Sequence, residues 1–424
     1  MRILFVTHEF VTEKKVCGGL GHYIANISTI LAEKGHKVII LLVTNHNHVF
    51  GWKQNIEVIA FKYYQAARRN KIGDYIEYFT KVDISTKLNR SFAVNEKIKE
   101  INSRNKIDIV QYCGDSNLFT WYRTRNIPCV VRMSSFGPWC AQASKIGSNM
   151  EDTSWLNTWD SKLQLYSFAK ADAIFSPSVF VAQIINRKLN KCVRVIESPC
   201  MVNDEIKMPN IPAEIEGKKY LLYYGRICTL KGIDTIKKCI YDILERNAQL
   251  FFVFVGYEEV KNVMRSVKLA AKQYSDRVLY LGEIKDNEIL FPIVKSSYAC
   301  IFPSRADNLP NTCIEAMGLG KIVIGTYGAS FEQLINHKES GLLIKRDSPK
   351  ALIKAVDYLM SMTEEKREEM GERAKERVAQ MTPDLVYERL ILFYQEVIKR
   401  AKCRKKGRGA SNKWSERLNY MKSH

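Results

Sequence analysis

Arg2-Ile3-Leu4-Phe5-Val6-Thr7, then Cys17-Gly18-Gly19-Leu20-Gly21, then Gly35-His36-Lys37 leading into residues 38–44, is the stretch that decides the fold. Residues 2–7 are an apolar run of strand length. Leu20, Tyr23, Ile24, Ile27, Ile30 and Leu31 recur at helical spacing, and Gly35 stops that helix. Residues 37–44 form a second apolar strand. Strand, glycine loop, helix and strand in that order make a βαβ unit, whose right-handed crossover sets the two strands parallel.

The alternation continues outward at residues 107–112, 128–132, 173–176 and 193–197, so the first half reads as α/β with a parallel sheet. Residues 203–218 are rich in Pro, Asn, Glu and Lys and lack periodicity, which marks a linker. A second series of strands follows at 220–224, 250–255, 278–281, 299–302, 322–325 and 341–344. A helix over 349–362, a charged stretch at 363–378 and a last periodic helix over 384–399 complete the pattern. The expected fold is two doubly wound, Rossmann-like parallel-sheet domains, residues 1–202 and 219–382, facing each other across a cleft. Residues 383–400 are expected to return toward the first domain, and 401–424 to form a basic tail. Sheets of this kind bind ligands at the carboxyl ends of their strands.

The chain has 424 residues, 46% hydrophobic and 26% charged, which excludes a disordered or collagenous protein. No apolar run approaches the roughly 18–20 residues a bilayer span needs. The short apolar start at 2–7 does not read as a signal peptide. Eleven cysteines, odd in number, scattered and without a C-x-x-C pair, read as reduced thiols of a soluble cytoplasmic protein. The net charge of +20 is uneven: residues 1–200 carry +11, residues 201–398 are neutral, and residues 399–424 carry +9. Composition alone leaves nucleic acid, an anionic membrane surface and solubility as competing reasons for it.

Two constellations can do chemistry. The first, Pro303-Ser304-Arg305-Ala306-Asp307-Asn308-Leu309-Pro310-Asn311-Thr312-Cys313-Ile314-Glu315, follows a strand and opens a helix. Backbone N–H groups near Asn311 and Thr312 would point into the cleft, and a helix N-terminus favours phosphate. Asp307 and Glu315 could face the same ligand, although Thr312 and Glu315 also fit a capping box. The second is Tyr224-Gly225-Arg226-Ile227-Cys228-Thr229-Leu230-Lys231-Gly232, where Arg226 and Lys231 could clamp a diphosphate or stand as two solvated surface cations.

Together, Gly225-Arg226, Lys231-Gly232, Asp307 and Glu315 in a Pro-Ser…Glu-Ala-Met-x-x-Gly context closely resemble glycosyltransferase family 4. Those are retaining enzymes of the GT-B fold that use nucleotide sugars. The run Asp307 to Thr312 is similar to a subgroup associated with bacterial surface polysaccharide. Gly18-Gly19-Leu20-Gly21 and Gly35-His36-Lys37-Val38 are similar to the family's first-domain glycine loop. The resemblance implies that Glu315 binds ribose hydroxyls and Asp307 the donor sugar. Arg226 and Lys231 would hold the diphosphate, the backbone at Asn311 and Thr312 would cradle it, and Gly225 and Gly19 would let loops approach the donor. No metal or other cofactor is then required, which suits a chain without a D-x-D motif.

Two positions depart from the family pattern. Asp307 stands where Glu is usual, and Ser134 stands at the end of Val130-Val131-Arg132-Met133 where many relatives have His. A hydroxyl does not transfer protons near neutral pH as imidazole does, so Arg132, Ser134 or Asp115 would position the acceptor. Asp115 reads equally as a loop turn residue. His46 and His48 lack a third ligand nearby and read as a loop. Trp139, Trp155 and Trp159 suit either sugar stacking or packing. Phe61-Lys62-Tyr63-Tyr64 through Arg69 suits a membrane interface or a solvated helix face.

The expected activity is therefore sugar transfer from a nucleoside-diphosphate sugar to a glycan acceptor, lipid-linked, at the inner face of the membrane. The alternatives are another enzyme on this fold, an epimerase or a phosphorylase, or a basic scaffold or nucleic-acid-binding protein. No nucleic-acid recognition module stands out, so the charge surplus reads as attraction to an anionic membrane.

Overall fold

The computed structural model describes residues 1–12, 18–63, 83–114, 118–145, 147, 154–202 and 211–422, with the side chains of the last helix described to Arg404. β1 (Arg2–Thr7) has every residue after Arg2 buried, which places it inside the first sheet. It leads through α1 (Gly19–Glu33) to β2 (Lys37–Thr44), β3 (His48–Lys53) and β4 (Ile56–Lys62). Next come α2 (Ile84–Arg104), β5 (Ile109–Cys113), β6 (Cys129–Arg132), α3 (Gly137–Ser144) and α4 (Trp159–Ala169). β7 (Ala173–Ser176), α5 (Val179–Leu189) and β8 (Arg194–Val195) close the domain. The strand order is β3-β4-β2-β1-β5-β6-β7-β8.

All neighbours in this sheet are parallel except β3 and β4. That pair departs from the sequence expectation of a wholly parallel sheet. β3 is an edge strand whose residues are exposed or half-buried, so it carries little hydrophobic signal. Asn55, at φ 62°, turns the chain back between the two strands. Phe61 and Lys62 end β4 and belong to no helix, while residues 64–69 lie outside the described residues. His48 opens β3.

The second domain begins with β9 (Lys219–Tyr224), α6 (Ile233–Lys237), α7 (Ile240–Arg246) and β10 (Leu250–Val255). It continues with α8 (Val263–Ala270), β11 (Val278–Tyr280), α9 (Asn287–Ser296), β12 (Ala299–Ile301) and α10 (Asn311–Gly318). β13 (Val323–Thr326), β14 (Leu342–Ile344), α11 (Pro349–Met360) and α12 (Glu364–Val378) follow. The order is β11-β10-β9-β12-β13-β14, parallel throughout. Of the linker, residues 203–210 lie outside the described residues. Ile215 is buried in the second domain's core, so the last part of the linker belongs to that domain.

α13 (Pro383–Lys422) leaves the second domain and packs on the first. Val386, Leu390, Phe393, Tyr394 and Val397 join Ile24, Ile27, Leu31 and Phe175 in one buried cluster. Asp384 pairs with Lys34 at 2.6 Å, the Tyr387 hydroxyl meets His36 at 3.0 Å, and the Tyr394 hydroxyl donates to Gln111. The helix also runs past residue 399 and takes in most of the basic tail. The chain thus crosses between the domains twice, once through the linker and once into this helix. Tyr394 is fully buried, so Tyr394→Ala should cost about 3–5 kcal/mol. Calorimetry should show the first domain's melting transition lowered and the second domain's unchanged; equal transitions in both proteins would mean that the helix is not docked there.

Candidate active site

Three loops meet at the carboxyl ends of β9, β10 and β12, and glycines let them touch. Gly225 and Gly256 sit at φ 116° and 142°, and a Cβ on Gly256 would lie 1.8 Å from the Gly225 carbonyl oxygen. Gly232 sits at φ 79°, and a Cβ there would lie 1.9 Å from the Pro303 carbonyl. Only glycine fits either place. Arg305, 1% exposed, then joins the loops. Its guanidinium pairs with Asp234 and, at 2.5 Å, with Asp347, while its backbone N–H donates to Leu230 O at 2.8 Å. The loop residues on either side are thereby fixed, and Lys231 and Asp307 form an ion pair. Arg226, 44% exposed, reaches Glu259 at 3.5 Å.

The start of α10 excludes the capping role for Glu315. Its N-cap is Pro310, which has no side-chain cap bond, and Thr312 lies inside the helix. The capping box is therefore not formed. Instead the Tyr224 hydroxyl donates to Thr312 O at 2.6 Å, and Gly225 lies close to the Thr312 methyl. Glu315 lines a pocket with Asn311 and Ile314, closed from the first domain by Tyr23, Asn26, Ser198, Pro199 and Met201. Burial pushes the Glu315 carboxyl up to about 7, with the Tyr224 hydroxyl acting against it.

The first domain supplies the opposite wall. Gly19 O accepts from Asn311 Nδ2 at 3.3 Å, and Asn308 donates to Met133 O while its Oδ1 accepts from the Ser178 hydroxyl at 2.5 Å. Cys140 on α3 is pushed up mainly by burial and also senses Asp307, Lys231 and Arg226, so α3 faces the donor-side cluster. Burial lowers Arg226, but Cys228, Glu259, Glu9 and Asp307 outweigh it and raise its affinity for its proton. Glu9 therefore lies near enough to Arg226 for their charges to interact.

Of the first-domain candidates, Arg132 does not reach a ligand. It is buried, stacks over Tyr23 at 3.5 Å, and donates to the hydroxyls of Ser134 at 2.7 Å and Ser198 at 3.0 Å. Strand alternation turned it beneath the cleft floor, so its expected place at the acceptor is corrected. Ser134 is half-buried beside Gly114, which also has His8 as a neighbour. Asp115 lies outside the described residues. Trp139 and Trp155 are buried packing residues, and Trp159 is exposed.

Glu9, Asn308 and Arg305 carry site geometry that the sequence reading missed. Glu9 accepts from the Gly18 N–H at 3.2 Å. Burial alone would raise its carboxyl, but His8 and the Gly18 and Gly21 amides hold it below its ordinary value. It occupies the anion position at the start of α1, whereas the first turn of α10 has no acidic residue and no side-chain cap. An acid directly after the first strand was the available signal. Among the described residues, no group of three or more His, Cys, Asp and Glu side chains could hold a metal ion.

Residues 204–377 match the family described as glycosyl transferases group 1. An uncharacterized glycosyltransferase of Haemophilus influenzae is 29% identical over 36% of this chain and 42% of its own length. The lipopolysaccharide core biosynthesis mannosyltransferase LpcC of Rhizobium leguminosarum is 25% identical over 37% of this chain and 44% of its own. The chain thus spans under half the length of these two curated relatives. Sucrose-phosphate synthase from Thermosynechococcus elongatus superposes with a TM-score of 0.72 at 18% identity, covering 94% of this chain and 99% of that one. The match to glycosyl transferases group 1 thus falls on the second domain, and the pair of domains has the GT-B fold.

Glu315 makes stability depend on pH. Its unfolded value is 4.5 and its folded value about 7, so the folded protein keeps a proton that the unfolded chain loses. Stability should fall as pH rises from about 4.5 to about 7. Urea melts across that window should show the decline in the parent protein and a flatter profile in Glu315→Gln; equal slopes would contradict the burial of this carboxyl.

Proposed function

We propose that the protein is a retaining glycosyltransferase that moves a sugar from a nucleoside-diphosphate sugar to a glycan acceptor. The observation that carries this is the meeting of Arg226, Lys231, Asp307, Glu315 and the open N-terminus of α10 around one interdomain cleft. The diphosphate would lie against Arg226, Lys231 and the Asn311 and Thr312 amides. Glu315, ionised, would accept the ribose hydroxyls, and Asp307 would accept from the sugar. Breaking the anomeric C–O bond leaves charge on the diphosphate, and preorganised cations lower that barrier. Arg226, Lys231 and the helix end supply this counter-charge, so the proposed mechanism needs no metal.

Glu9, Ser134 and Asp115 are the first-domain groups proposed to meet the acceptor, with Arg132 holding Ser134 from behind. A lipid-linked acceptor in cell-surface polysaccharide synthesis is supported by the name of the Rhizobium relative. It is also supported by the charge of +11 on residues 1–200 and +9 on residues 399–424. No helix among the described residues is long and apolar enough to cross a membrane. The proposed location is peripheral, at the inner membrane face.

Arg226→Ala and Lys231→Ala should each lower kcat/KM for the best nucleotide sugar by about 100-fold or more without lowering the melting temperature. Initial rates over a panel of UDP- and GDP-sugars decide it, and unchanged rates in both variants would refute the diphosphate assignment. Removing residues 405–424 keeps the contact of Arg404 with Asp172 at 3.3 Å and strips the distal cations. Sedimentation with anionic vesicles should weaken at low salt and change little at high salt. Equal sedimentation of both forms at low salt would remove the tail from the membrane contact.

A further inference from the structure

Five aromatic rings form a strip on the outer face of the first domain. Trp159 and Tyr166 lie seven residues apart on α4, hence on one face of that helix, and are 58% and 54% exposed. Trp121 packs against Tyr166 with ring centroids 4.9 Å apart. Its chain neighbour Tyr122 meets Phe92 of α2 edge-on at 5.7 Å, and both of those rings are exposed as well. Contiguous aromatic surface of this kind marks an interaction site rather than scattered exposure.

The cations around the strip say what it meets. Lys162 stands 5.6 Å from the Trp159 ring, and Lys170 stands 4.7 Å from Trp121 and 4.9 Å from Tyr166. Burial lowers the Lys170 ammonium, and the nearby Arg125 and Arg123 lower it further, so positive charges crowd together here. The neighbouring acids are already engaged. Asp160 pairs with Lys87 at 3.2 Å, and Asp172 pairs with Arg123 at 2.8 Å and with Arg404 of α13 at 3.3 Å. Arg404 also brings the root of the basic end of α13 to the same part of the surface.

We infer that this strip is the surface by which the protein lies on an anionic lipid bilayer, with Trp159 and Tyr166 at headgroup depth. Indole and phenol rings favour that depth because one edge is apolar and the other polar. Lys162, Lys170 and Arg125 then face anionic headgroups, which a neutral partner would leave unmatched. The inference rests on the peripheral-membrane part of the proposed function and assigns that contact to particular residues.

The test uses the full chain and sedimentation with phosphatidylcholine vesicles, with and without phosphatidylglycerol, at low and high salt. The parent protein should bind the phosphatidylglycerol vesicles and keep a salt-resistant fraction, because ring insertion is not screened. Trp159→Ser with Tyr166→Ser should lose that fraction and partition about tenfold more weakly, with unchanged melting because both side chains are exposed. Lys162→Glu with Lys170→Glu should lose the preference for phosphatidylglycerol and keep the salt-resistant part. Parent-like partitioning of the ring variant overturns the inference, even if removal of residues 405–424 weakens binding and so upholds the tail. Binding of a soluble oligosaccharide by these rings, with vesicles ignored, overturns it too.

Discussion

Arg305 is the charge on which the site depends. A guanidinium 1% exposed is held only because Asp234 and Asp347 neutralise it. Removing either acid would leave a buried charge uncompensated, a penalty of several kcal/mol. Because Asp234 comes from the first turn of α6 and Asp347 from the loop after β14, this one residue fixes three segments relative to each other. Its Nη1 also donates to Ser144 O of the first domain at 3.3 Å. The same group that orders the donor side therefore touches the opposite wall. Asp234, pushed up chiefly by burial and pulled down by Arg305, shows the balance from the acid's side.

The electrostatics of the cleft follow from that frame. The ammonium of Lys231 rests on Asp307 and the guanidinium of Arg226 on Glu259, with Glu9 near Arg226. Both cations thus have carboxylates as partners, and a bound diphosphate would compete with those carboxylates for them. Glu315 is different. Burial sets its high value against the Tyr224 hydroxyl, so a ligand that donates hydroxyl hydrogens to it would draw its proton off.

Much of the frame was legible in the sequence because buried parallel strands are continuous apolar runs and the loops between them need glycine. Gly225 and Gly232 could be read as loop glycines; both sit at positive φ, and Gly232 lies under the Pro303 carbonyl. What the sequence hid has physical causes as well. β3 is an exposed edge without a hydrophobic stripe. Arg132 and Ser134 stand two residues apart at a strand end, and the pattern does not say that Arg132 is spent on Ser134, Ser198 and Tyr23 beneath the cleft. The amphipathic repeat of α13 was visible, but its partners on α1 and β7 lie hundreds of residues away in sequence.

The proposed function puts a nucleoside diphosphate in the cleft with its phosphates at Lys231 and its ribose at Glu315. Calorimetric titration with UDP and with GDP near pH 7, repeated in buffers of different ionisation enthalpy, tests it most directly. One of the two should bind with release of part of a proton, because ribose hydroxyls favour the ionised Glu315, and Glu315→Gln should bind without that release. Failure of both nucleotides to bind, or binding with the same proton balance in the parent protein and in Glu315→Gln, would contradict it.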